Sequence, residues 1–160
     1  MRKVANKKLS EHFTLYEIIE GKALHPTAIR WNWKWFEGEF NEPAFVELCE
    51  YMEDVRAWVN DSFVSDLDPD KPITLIVNSG FRCKQWEWKQ GRSGNSQHTI
   101  AAMDVVPGNI SRELAVEIME AIYEHYSVYH IGGFAISEPT ETRLGFIHFD
   151  LRGWRAQWTY

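Results

Sequence analysis

Two short segments hold side chains whose types and spacing can do chemistry. The first is Ser96-Gln97-His98-Thr99-Ile100-Ala101-Ala102-Met103-Asp104. It sets a histidine at the end of a polar, glycine- and serine-containing stretch and an aspartate six positions on, inside an apolar run. A carboxylate between Met103 and Val105 costs several kcal/mol, on the order of a buried polar group, unless a partner compensates. A cation is one such partner and Arg82 is another. The second segment is Gly145-Phe146-Ile147-His148-Phe149-Asp150-Leu151-Arg152. On a strand, His148, Asp150 and Arg152 share one face, about 7 Å apart, and Ile147, Phe149 and Leu151 share the other. Together, His98, Asp104 and His148 form a two-histidine, one-carboxylate set. A catalytic zinc site uses three protein ligands and keeps one position open. Water in such a site ionises near neutral pH and becomes a nucleophile. Asp150 is close enough in sequence to take or relay a proton. Two plainer readings stand beside this one: a strand histidine hydrogen-bonded in the core, and an Asp104–Arg82 ion pair.

The elements that must position these groups follow from periodicity. Thr14 caps a short helix over Leu15 to Glu20. Gly21 to Phe40, with Trp31, Trp33 and Trp35, breaks helical periodicity; it is expected to be an irregular, aromatic-rich insertion or lid, its alternating tryptophans a short strand face. Asn41-Glu42-Pro43 starts an amphipathic helix carrying Phe45, Leu48, Cys49, Met52, Val55 and Val59. Asn60 to Pro72 is a polar loop. Ile73 to Val77 is a buried strand, Gly91 to Gln97 a turn, and Ala102 to Val106 a strand stopped by Pro107-Gly108. Ser111 caps a second strong helix. His130 to Ile136 and Gly145 to Leu151 are strands around a polar connection, Ser137 to Arg143. The expected fold is α+β in one domain, 1–160: a small, mainly antiparallel sheet with helices packed on it.

Composition narrows the function classes. The chain has 160 residues, 44% hydrophobic and 25% charged, which suits one globular core. A formal net charge of −6 argues against a nucleic-acid binder. No apolar run approaches the roughly 20 residues needed to span a bilayer. The basic start lacks a following hydrophobic stretch, so no signal peptide is expected; a product made in the cytoplasm would need another route out. Two cysteines, Cys49 and Cys83, cannot build a disulfide framework and are expected as buried free thiols. His12, His25 and His125 suit surface or capping positions, and His130 could support the site from behind.

The ordered motifs Ser79-Gly80-Phe81-Arg82, Ser96-Gln97-His98, Ala102-Met103-Asp104 and Phe146-Ile147-His148-Phe149-Asp150 resemble the zinc D-alanyl-D-alanine carboxypeptidase family, which shares its fold with the hedgehog signalling domain. Leu9 to Leu15 and Ile131-Gly132-Gly133-Phe134 are similar to further segments of its phage and bacterial members. The resemblance implies Zn2+ on His98, Asp104 and His148, with Arg82 holding the substrate carbonyl or stabilising the oxyanion. Ser96 and Gln97 would shape the His98 loop or contact substrate, and Asp150 lies beside the third ligand. It further implies a monomeric, endolysin-like peptidase acting on peptidoglycan stem peptides, released to the cell wall or carried in a virion. An inactive metal-binding or wall- or virion-interaction domain of the same fold is the alternative. The sequence departs from the family in two places. The histidine-to-aspartate gap is six rather than seven, with Ala101 where glycine is expected. Gly145 stands where many members carry an acidic base, leaving Asp150, Glu138 or Glu141 for that role.

Overall fold

The computed structural model describes residues 4–63 and 70–160. Among the described residues five α-helices precede, interrupt and cover one five-stranded sheet: α1 (Leu15–Glu20), α2 (Pro26–Glu39), α3 (Glu42–Ser62), β1 (Thr74–Ser79), α4 (Lys84–Lys89), β2 (Ala102–Gly108), α5 (Arg112–Tyr129), β3 (Gly133–Ser137), β4 (Phe146–Asp150) and β5 (Ala156–Thr159). A 3-10 turn, Gln97–Thr99, leads into β2. The class is α+β, as the pattern requires.

The helix starts are set by local chemistry. Thr14 and Glu17 cap α1 reciprocally, Asn41 caps α3, and Ser111 caps α5. On α3 the six apolar residues at helical spacing are all buried. Apart from the smaller Cys49, each contributes roughly 1.5–3 kcal/mol, the usual worth of fully burying such a side chain. Asn60 to Ser62, expected in a loop, extend α3. Positions 64–69 of that expected loop lie outside the described residues.

The Trp-rich stretch is not irregular. It forms α2, with Pro26 at the first turn and the His25 ring accepting from the Thr27 N–H at 3.1 Å. Its inward face carries Ala28, Asn32 and Trp33, with Phe36 and Phe40 packed on the core. The buried asparagine interrupts the apolar stripe and hides the helical period.

The strand order is β1-β2-β4-β3-β5. The sheet is mixed rather than mainly antiparallel: β5 runs parallel to β3, while the other pairings are antiparallel. The cause is edge occupancy. β4 is flanked by β2 and β3, so the returning chain finds its free edge on β3. Nor does Pro107 stop β2, which continues to Gly108 against β1. Pairing with β4 ends at Val105, so the proline sits where the strand has one neighbour.

The two sheet faces differ around the middle of β2 and β4. Val77, Met103, Val105, Phe134, Ile147 and Phe149 point into the core with α3 and α5. The opposite face presents Asp104, His148 and Asp150, with Ala135 beside His148. Among the described residues no helix is long and apolar enough to cross a membrane. Both cysteines are free and buried, and burial pushes their thiols up to about 12 for Cys49 and about 11 for Cys83, so neither is a nucleophile.

Candidate metal centre

Strand pairing delivers two of the three expected ligands. Asp104 on β2 and His148 on β4 are direct cross-strand partners, because the period-2 pattern that buries Met103, Val105, Ile147 and Phe149 turns both to the same face. The third comes from the 3-10 turn. Ser96 caps it by accepting from the His98 N–H at 3.3 Å, Thr99 Oγ1 donates to the Ser96 carbonyl at 2.7 Å, and the His98 carbonyl accepts from the Arg82 N–H at 3.0 Å. The shortened His98–Asp104 gap is bridged by Ile100 and Ala101 before β2 begins.

The result is a buried cluster whose three ligand atoms, one from each of His98, Asp104 and His148, lie within 4.8 Å of one another. His148 Nδ1 is 2.8 Å from Asp104 Oδ1, and His98 Nε2 is 3.3 Å from Asp104 Oδ2. Burial works against an ionised Asp104, but the imidazoles of His98 and His148 on either side of it outweigh burial and hold the carboxyl well below the usual range.

Each imidazole is oriented from behind. His98 Nδ1 meets the Gly80 carbonyl at 2.6 Å, which fixes that nitrogen as the N–H and leaves the Nε2 lone pair facing the cluster. Nε2 is buried without a well-directed hydrogen bond. His148 Nε2 meets Asp150 Oδ2 at 3.0 Å, leaving Nδ1 for the cluster. A nitrogen kept open, a carboxylate held ionised and a carboxylate-backed second imidazole are the donor set a divalent cation requires. The group can hold a metal ion.

Asp150 is fully buried, and its carboxylate is already engaged. It accepts from Arg152 Nε at 2.8 Å and Nη2 at 2.6 Å, from the Gly133 N–H at 2.9 Å and from the Arg152 N–H at 3.2 Å, besides His148. Gly133 is required here, since a Cβ would collide with the Asp150 carboxylate. The expected proton relay through Asp150 therefore lacks a free oxygen, and the geometry makes it the anchor of His148. His130 stands one step further back, with Nδ1 at 2.8 Å from the Tyr51 hydroxyl and Nε2 at 2.9 Å from the Asp150 carbonyl.

Arg82 does not pair with Asp104. Its Nη2 donates to Ser96 Oγ at 3.2 Å, and its Nε lies 3.3 Å from Glu87 Oε1. Glu87, fully buried on α4, also takes Arg92 at 2.9 Å. Sequence reasoning missed Glu87, as it missed α4. It also missed Asn32, whose Nδ2 donates to the Ile19 and Phe81 carbonyls at 3.0 and 2.7 Å and whose Oδ1 accepts from the Cys83 N–H at 3.0 Å. The tryptophan-bearing helix thus braces the backbone on either side of Arg82. Gln97 faces a shallow recess of about 80 Å3 with Ala44, Ile100 and Arg152. Trp158, on β5, packs 5.1 Å from the His148 ring.

No family model matches the chain, and neither a curated protein nor a solved structure matches it.

Proposed function

We propose that the chain is a zinc-dependent peptidase hydrolysing peptidoglycan stem peptides, as a D-alanyl-D-alanine carboxypeptidase or endopeptidase with a hedgehog/DD-peptidase-like fold. The observation that carries this reading is the convergence of His98, Asp104 and His148, each imidazole fixed through its other nitrogen. Two imidazoles and one carboxylate suit zinc with one open position. When bound, the cation supplies Lewis acidity and makes water a nucleophile near neutral pH.

The chain's own residues supply the rest. His98, Asp104 and His148 hold the cation, and Asp150 keeps His148 in the required tautomer. Arg82, one-fifth exposed and gripped by Glu87 and Ser96, offers a planar fork of donors to a substrate carbonyl that gains negative charge. Ser96 and Gln97 shape the turn that presents His98.

The proton is assigned to Glu138. A side chain at position 145 is excluded by this backbone, because Gly145 has φ of 84° and a Cβ there would collide with the Ser137 carbonyl. The residue after Ser137 is Glu138, which lines the cleft with Gly145 and Phe146. It thus stands next to the place where the resembling family carries its acid, whereas Asp150 has no oxygen to spare. Glu141 is exposed and does not line that cleft.

The test is release of amino groups from purified peptidoglycan by the zinc-loaded protein. Wild type is expected to release them, a chelator to stop it, and Glu138→Gln to slow it about a hundredfold, the usual worth of general base catalysis. The second reading is a metal-holding domain of the same fold without turnover, favoured by the full engagement of Asp150. Zinc retention with no amino-group release from any wall preparation selects it.

A further inference from the structure

We propose that the cleft beside the ligand cluster is a subsite for a carboxylate-bearing peptide, clamped by Lys22 and Arg143. The ligand class rests on the peptidase reading; the clamp rests on the cleft itself.

The cleft has a volume of about 730 Å3, within the range of small-ligand and peptide sites. Its floor includes Val106 and Phe146. These lie two residues along β2 and β4 from Asp104 and His148, so they share the ligands' sheet face about 7 Å away. A ligand lying over Val106 and Phe146 is therefore about two strand residues from the cluster.

Both walls are fixed by backbone hydrogen bonds. On one side the Lys22 N–H donates to the Val77 carbonyl at 2.8 Å and the Ala23 N–H to the Asn78 carbonyl at 2.9 Å. On the other, the Arg112 guanidinium, at the start of α5, donates to the carbonyls of Thr140 and Arg143. The Arg143 N–H donates to Thr140 Oγ1 at 3.1 Å, closing that loop.

The charge of the cleft opposes that of the molecule. The chain carries −6, yet the cleft is lined by two cations, Lys22 and Arg143, and one acid, Glu138. Among the described residues neither cation has a carboxylate within ion-pairing distance. Two cations without a carboxylate partner, both lining a cleft with an apolar floor, suit an anion, and the flat guanidinium suits a carboxylate. The apolar floor, with the cluster about 7 Å along the same sheet face, selects a peptide as its carrier.

The test compares stem pentapeptides identical except at the glutamyl α-carboxylate, free in one and amidated in the other, with a C-terminal amide as third arm. Affinities are read by calorimetry on the full chain with chelator present, so that no cleavage intervenes. The free acid is expected to bind about tenfold tighter, a difference of about 1.4 kcal/mol. Lys22→Ala/Arg143→Ala should erase the difference, and Lys22→Arg/Arg143→Lys should keep it. A preference lost only in the C-terminal amide assigns the clamp to the terminal carboxylate. Equal affinity for all three peptides, no binding at millimolar peptide, or a preference that survives the alanine pair overturns the clamp. Cleavage of all three peptides by zinc-loaded protein with equal kcat/KM removes the clamp and keeps the peptidase. Selective binding without cleavage keeps the clamp and removes the peptidase.

Discussion

His130 and His98 are equally buried, both about 2% exposed, although one follows a helix and precedes two glycines while the other ends a polar turn. Their nitrogens are used differently. His130 spends both, one on the Tyr51 hydroxyl and one on the Asp150 carbonyl. His98 spends one on the Gly80 carbonyl and keeps the other bare, 3.3 Å from a carboxylate. A structural histidine closes its hydrogen bonds within the protein, whereas a ligand histidine leaves one lone pair for something else. His148 belongs with His98, since its outer nitrogen is anchored by Asp150 and its inner one joins the cluster.

The largest effect should separate the two kinds of histidine outright. His98→Ala or His148→Ala is expected to abolish metal retention and to lower hydrolysis at least about a thousandfold. His130→Gln should keep one metal per chain. If His130→Gln loses the metal as completely as His98→Ala, the distinction fails.

Added zinc sharpens the same contrast in stability. At a hundred times its dissociation constant, a ligand that binds only the folded chain adds about 2.7 kcal/mol. Denaturant melts should show that gain in wild type and His130→Gln but not in His98→Ala. A gain that persists in His98→Ala places the metal elsewhere.

Asp150→Asn tests the anchor. The amide keeps the volume but weakens the pull on the His148 N–H, so zinc affinity should fall about 10–100-fold, as for other partners behind metal-bound histidines. Competition against a chelating dye measures it, and unchanged affinity would show that Asp150 serves only Arg152 and Gly133.

The smallest effect is the pH dependence of His130. Burial holds this imidazole below its ordinary value, against the opposing influence of Asp150. A histidine whose folded pKa is lowered binds fewer protons than the unfolded chain, so its contribution is present above about pH 6.5 and lost as pH falls below that. NMR titration should place its midpoint below 6.5, and His130→Gln should flatten the stability profile between pH 7 and 5. A midpoint above 6.5 reverses the sign.

Much of this was legible in the chain. The caps of α1, α3 and α5 and the alternation of β4 are local patterns, and they survive in the structure because tertiary packing agrees with them. The three ligand residues were visible because an aspartate in an apolar strand and a histidine alternating with core residues violate local logic. What escaped depends on partners distant in sequence. Asn32 breaks an apolar stripe for the sake of carbonyls 13 and 49 residues away, so α2 looked irregular. β5 alternates Ala156 and Trp158 with Gln157 and Thr159, but its pairing partner follows from which edge of the sheet was vacant. The Gly80 carbonyl that orients His98 has no side-chain signature at all.

The central claim is most directly tested by counting zinc. After equilibration in a zinc buffer and removal of free ion, mass spectrometry should find one zinc per wild-type chain and none in the His98→Ala/His148→Ala pair. Wild type emerging without zinc, or the double variant retaining it, would contradict the account.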